Sequence, residues 1–148
     1  MWSDQEIGFW KEYLQAHHGL DGELERLDGE FDLNIAVRVD GRLDAVLKVM
    51  RVGCDSGLVG MQVEALDHLA ATMPDLPVPR VIRRHDGAAA AAVTDFSGNE
   101  RIAWVISAID GLPLGAMRPQ PAALVHEIGH ALGQITVGLE GFDHAALT

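Results

Sequence analysis

A lysine stands in the middle of an apolar run, Val46-Leu47-Lys48-Val49-Met50, and it limits what any fold can do with that run. An ammonium is strongly hydrated and is rarely buried without a partner. Two arrangements satisfy it. Either the run is an edge strand whose lysine faces water, or Lys48 turns inward to an anion such as a phosphate, where a charge-assisted contact offsets the lost hydration. The five residues leave both open. The order of the segments around them bears on the choice.

Residues 3–17 carry apolar positions at helical spacing, with Ile7, Trp10, Tyr13 and Leu14 on one face and Ser3 or Asp4 to cap the start. Gly19 and Gly22 end this helix. Residues 23–30 predict a short strand anchored by Leu24 and Leu27. Residues 33–39 alternate, Leu33, Ile35, Val37 and Val39 against Asn34, Ala36 and Arg38, and Asp40-Gly41 is a two-residue hairpin signal. The next strand spans about 43–52, which makes an antiparallel meander of three. A helix of about four turns follows a cap at Ser56, with Leu58, Met61, Ala65, Leu66 and Leu69 as its apolar stripe. Gln62 shares that face, whereas Glu64 lies toward the polar one. Three prolines in residues 74–79 stop the helix. Strands are then expected at 80–84, 88–96 and 101–109, the last strongly apolar and central, ending at Asp110-Gly111-Leu112-Pro113. A final helix runs from Pro121 to about Val137.

The 148 residues suffice for one domain or lobe with a real core. A net charge of −11 argues against a nucleic-acid surface, because phosphates would be repelled. A single cysteine, Cys54, leaves no disulfide framework and no thiolate metal cluster. No apolar run is long enough to span a bilayer, and the acidic start lacks the layout of a signal peptide, so the expected setting is cytoplasmic, without a membrane partner.

Five short segments now occur in order: Gly29-Glu30-Phe31-Asp32-Leu33-Asn34, Val46-Leu47-Lys48-Val49, Ala65-Leu66-Asp67-His68-Leu69, residues 74–81 (PDLPVPRV), and Gly141-Phe142-Asp143-His144. On these segments the chain resembles the aminoglycoside phosphotransferase / choline kinase superfamily. The likeness is greatest to the branch of hydroxylysine kinase and of phosphotransferase modules fused to class III aminotransferases. It covers about residues 10–147. The resemblance implies an α+β fold, the N-terminal lobe of a kinase-like protein. That lobe has a five- or six-stranded antiparallel sheet with a packed helix, flanked by an N-terminal and a C-terminal helix. Residues 1–110 would form the lobe, and 111–148 a linker and the first helix of a second lobe.

The same resemblance implies roles. Lys48 would contact the α- and β-phosphates of ATP, and Gln62 would orient it. The turn carrying Glu30, Asp32 and Asn34 would stand over the phosphates; the superfamily usually has Arg and Gln where this chain has Phe31 and Leu33. Ser107, Ala108 and Ile109 would form the hinge that receives adenine. The superfamily's catalytic base and Mg ligands lie in an H-G-D-x-x-x-x-N segment and a later Asp of the second lobe, and neither occurs here. Thr94-Asp95-Phe96-Ser97-Gly98 imitates a metal-binding D-F-G but precedes the hinge. The expectation is an ATP-binding lobe of a small-molecule kinase. It would be inactive alone, as a truncated or split product or a free-standing lobe, and completed by a second lobe or partner chain or by self-association through exposed apolar surface.

Two alternatives stand beside this reading. His126-Glu127-Ile128-Gly129-His130 is a literal H-E-x-x-H on a helix, which would set two zinc ligands on one face with Glu127 as general base. The longer zinc-peptidase pattern asks for His at 136, where this chain has Thr136. In the kinase-like reading the same helix is structural, with Leu124, Ile128, Leu132 and Ile135 buried and both histidines at the surface. The other alternative is a non-catalytic binding or assembly module.

Overall fold

The computed structural model describes residues 2–109 and 111–147; the expected strand end at Asp110 lies outside the described residues. The elements run α1 (Asp4–His18), β1 (Glu23–Leu27), β2 (Leu33–Val39), β3 (Arg42–Val49), α2 (Ser56–Thr72), β4 (Val81–Ile82), β5 (Ala90–Thr94), β6 (Glu100–Ser107) and α3 (Ala122–Gly138), with 3-10 turns at Leu114–Ala116 and Ala145–Leu147. The strands form one antiparallel sheet in the order β1-β2-β3-β6-β4, and β5 also pairs with β6. β4 and β5 lie end to end along one side of β6, and β3 covers its other side. The apolar strand is therefore interior, as its composition requires. Among the described residues no helix is long and apolar enough to cross a membrane.

Each face of the sheet holds its own core. On one, Trp10, Tyr13 and Leu14 of α1 pack on Ile35, Val37, Leu47, Val49 and Val105. Trp10 is fully buried, which confirms its packing role. On the other, Val59 and Val63 of α2 pack with Met50 and Trp104. The buried stripe of α2 is Val59, Val63 and Leu69; Leu58 is 37% exposed, so the expected stripe is rotated by about one residue. α2 touches the sheet through its valines, α3 through Leu69, and the 3-10 turn Ala145–Leu147, and a single-stripe reading merges these faces.

Capping follows local chemistry. Ser3 Oγ accepts from Glu6 N at 3.2 Å, and Gly19 ends α1 in the left-handed region. Asp55, not Ser56, caps α2, its Oδ1 accepting from Gly57 N at 2.8 Å. Asp40 and Gly41 both take positive φ, as a two-residue hairpin with right-handed strand twist demands. Beyond that turn Arg38 pairs with Leu43 but Val37 pairs with Ala45, so Asp44 is an extra residue and the register shifts by one.

α3 is held mainly at its C-terminal end. Gly138 is its buried residue, and a Cβ there would stand 2.7 Å from Leu69 Cδ2. Val125, Leu132 and Val137 are each more than half exposed, so the expected burial of Leu132 is corrected. Phe142 sets its ring 5.5 Å from His68, and His144 Nε2 lies 3.7 Å from Glu64. Two of the segments singled out by sequence are thereby in contact.

The last residue of α1, His18, is 8% exposed. Burial pushes its imidazole below the ordinary value of 6.5, the Arg84 charge pushes the same way, and a backbone hydrogen bond at Arg83 opposes them only in part. Folding favours the neutral ring, so this contribution to stability is whole above 6.5 and is lost as pH falls below it toward the folded value. Urea unfolding of the wild type and of His18→Gln at about pH 7.5 and about pH 5 should show a smaller acid loss in the variant. Equal losses would exclude His18 as the source.

Candidate functional site

β3 turns Ala45, Leu47 and Val49 to the α1 face, which leaves Val46 and Lys48 on the α2 face. Lys48 is half-buried and lies opposite Asn34 on β2 and Trp104 on β6. The strand has a neighbour on each side, so the solvated edge arrangement does not hold. Lys48 Nζ donates to Asn34 Oδ1 at 3.2 Å. The register shift at Asp44 produces this pairing. Without the extra residue the hairpin would set Lys48 opposite Leu33, on the dry α1 face.

Gln62 is half-buried on α2, one turn on from Val59, and makes no hydrogen bond to Lys48 among the described residues. The ammonium's partner in this structure is Asn34. Glu64 faces away, toward His144, as its helical position indicates.

The β1–β2 loop, residues 28–32, passes beside this pair. A Cβ on Gly29 would stand 2.6 Å from Asp32 O and 2.9 Å from Asn34 Nδ2, so only glycine admits the close approach. Asp32 Oδ1 accepts from Arg51 N at 2.8 Å, tying the loop to the end of β3. Phe31 at the tip is 66% exposed.

At the far end of β6, Ser107 and Arg80 clasp each other. Ser107 N donates to Arg80 O, and Arg80 N donates to Ser107 Oγ, each at 2.8 Å. Ala108 N donates to Asp44 O at 3.0 Å. The N–H groups of Ser107 and Ala108 are thus committed to the sheet. Ile109, half exposed, is the first of the three expected hinge residues to lie beyond those bonds. Sequence reasoning missed Arg80; its place after the third proline was the available signal.

Asp95 is a turn residue. Its Oδ1 accepts from Ser97 N and Asn99 N at 2.9 Å, and its Oδ2 from Arg101 Nε at 2.6 Å. Burial draws its carboxyl upward, yet the hydrogen bonds from Asn99, Arg101 and Ser97 outweigh that and hold it below the ordinary carboxylate range. His126, Glu127 and His130 are exposed on α3. Among the described residues no group of three or more His, Cys, Asp or Glu side chains is arranged to hold a metal, and Thr136 donates to Leu132 O.

No protein-family model and no curated protein sequence matches the chain. Among solved structures the chain is similar to amicoumacin kinase hAmiN in complex with AMP-PNP, Ca2+ and Ami, with a TM-score of 0.72 and 13% identity over 97% of this chain. It covers 42% of that kinase and so spans less than half its length. At this identity the likeness shows the fold: α+β, the N-terminal lobe of a kinase-like protein, with six antiparallel strands. A Ralstonia eutropha protein provisionally named an aminoglycoside phosphotransferase is 20% identical over 76% of this chain and 29% of its own. Its TM-score of 0.42 supports no structural inference.

Asp95→Ala should cost about 1–3 kcal/mol in urea unfolding, since it strips acceptors from a half-buried turn. Unchanged stability would contradict the turn role. His126→Ala should change neither the zinc content of the purified protein, read by plasma mass spectrometry, nor its melting temperature. Stoichiometric zinc that disappears with this substitution would establish the metal site.

Proposed function

We propose that this chain is the ATP-binding lobe of a small-molecule O-phosphotransferase, acting in the cytoplasm on an amino acid, amino alcohol or aminoglycoside type of acceptor. The family reading is the aminoglycoside phosphotransferase / choline kinase superfamily, in its hydroxylysine kinase and aminotransferase-fused branch. Residues 1–110 form the lobe in this reading, and 111–148 the linker and first helix of a second lobe.

One observation carries it: a half-buried lysine on the α2 face of an interior strand, beside a loop whose glycine allows close backbone approach. An ammonium so placed loses hydration that one amide oxygen restores only in part, and a phosphate would restore the rest. In the proposed complex Lys48 meets the α- and β-phosphates with Gln62 on the facing helix. The loop bearing Asp32 and ending at Asn34 covers them, and the backbone between Ser107 and Ile109 receives adenine. Mg enters with ATP, its ligands and the catalytic base coming from the second lobe, so the chain alone turns nothing over. Ile109, Leu112, Leu132 and Val137 are 50–77% exposed, an apolar surface suited to that lobe, a partner chain or a second copy.

Displacement of a fluorescent ATP analogue should show saturable binding to the wild-type chain in Mg buffer. Lys48→Ala should weaken it by about tenfold to a hundredfold while the melting temperature holds. Affinity that survives this substitution would overturn the assignment.

A further inference from the structure

We propose that Asn34 is a positioning residue that links the β1–β2 loop to the Lys48 ammonium, so that the place of the loop sets the place of the charge. The inference rests on the nucleotide-site reading above and adds a coupling within it.

The two ends of one amide carry the link. Oδ1 accepts from Lys48 Nζ at 3.2 Å across directly paired strands. Nδ2 lies against the loop, 2.9 Å from where a Cβ on Gly29 would stand. A lysine head on a four-carbon stem has wide rotamer freedom, and a fixed acceptor on the next strand removes much of it. The amide is the side chain suited to this place. A carboxylate would offer acceptors only and would compete with a phosphate for the ammonium; an apolar residue would offer neither group.

The loop has little else to fix it. A cavity of about 230 Å³, lined in part by Trp10, Leu33 and Arg101, backs it on the α1 side. Phe31 at its tip is 66% exposed. Its other tie, Asp32 Oδ1 to Arg51 N, also runs to the end of the lysine's strand. The loop's hydrogen bond through Asp32 therefore ends just past the strand that carries the lysine, and Asn34 lies between loop and ammonium. The extra residue Asp44 makes the arrangement possible, because it moves Lys48 from opposite Leu33 to opposite Asn34. Gln62, which makes no hydrogen bond to the lysine, does not compete for the role.

The test is a Gly29→Ala, Asn34→Leu double-mutant cycle read in two ways on the 148-residue chain. The first readout needs no ligand: the methylene Cε resonance of Lys48 in lysine-labelled protein, assigned by its loss in Lys48→Met. Asn34→Leu should move it. Gly29→Ala should move it in the wild-type background and not in the Asn34→Leu background. The second readout is ATP affinity, which each single variant should lower by about tenfold and the double variant by no more than either. Asn34→Ser, which keeps a shorter polar group, replaces Asn34→Leu if that variant fails to fold. A Lys48 resonance unmoved by the Asn34 substitution, or moved equally by Gly29→Ala in both backgrounds, overturns the coupling. If the resonances behave as stated and the wild type binds no ATP, the coupling stands and the nucleotide reading falls. If ATP binds and the resonance does not move, the reverse holds.

Discussion

The hydration of one ammonium organises this molecule. Lys48 lies in a strand with neighbours on both sides, in a sheet with a helix on each face. Turned toward α1 it would stand opposite Leu33, among Trp10, Ile35 and Val37. Turned toward α2 it meets Asn34 Oδ1 at 3.2 Å. Which way it turns depends on a bulge: Asp44 shifts the β2–β3 register by one residue and exchanges the faces. The same residue's carbonyl accepts from Ala108 N, so the irregularity that aims the lysine also ties down the end of β6.

From this point the rest of the lobe follows as support. α1 seals the dry face with three large side chains, and α2 packs Val59 and Val63 on the other with Met50 and Trp104. The reciprocal Ser107–Arg80 bonds fix where β6 ends. Past Ile109 the character changes. α3 carries glycines at 129 and 133 with nothing near them, each costing about 1 kcal/mol of helix propensity, and it exposes Val125, Leu132 and Val137. A helix of this kind draws its stability from what packs on it. The contacts it has here are concentrated at Gly138, Leu69 and Met73.

Much of the fold was legible because local signals and global pattern agreed. The alternation of residues 33–39, the Asp40-Gly41 turn and the apolar 101–109 run each became the strand or turn that their chemistry predicts. The errors came where two residues offer the same chemistry or one helix serves two neighbours. Asp55 and Ser56 both cap helices, and the backbone favoured the aspartate. Leu58 and Val59 both suit a stripe, and the sheet took the valine. Leu132 reads as buried by periodicity, yet nothing among the described residues covers that side of α3. Of the candidate site, an inward lysine was one of two arrangements the sequence offered, and its partner was not legible. Hairpin geometry alone pairs Lys48 with Leu33, and no residue in the strand announces a bulge at Asp44. Asn34 could therefore be placed in the loop motif but not recognised as the lysine's partner.

The most direct measurement is a two-dimensional 1H–15N NMR titration of the 148-residue chain with a non-hydrolysable ATP analogue and Mg. The expected result is a saturable set of shifts confined to residues 28–34, the neighbourhood of Lys48 and residues 107–109, with α1 and the exposed face of α3 silent. Shifts centred on His126 and His130, or none at any attainable concentration, would contradict the claim that this lobe is built around a phosphate-binding lysine.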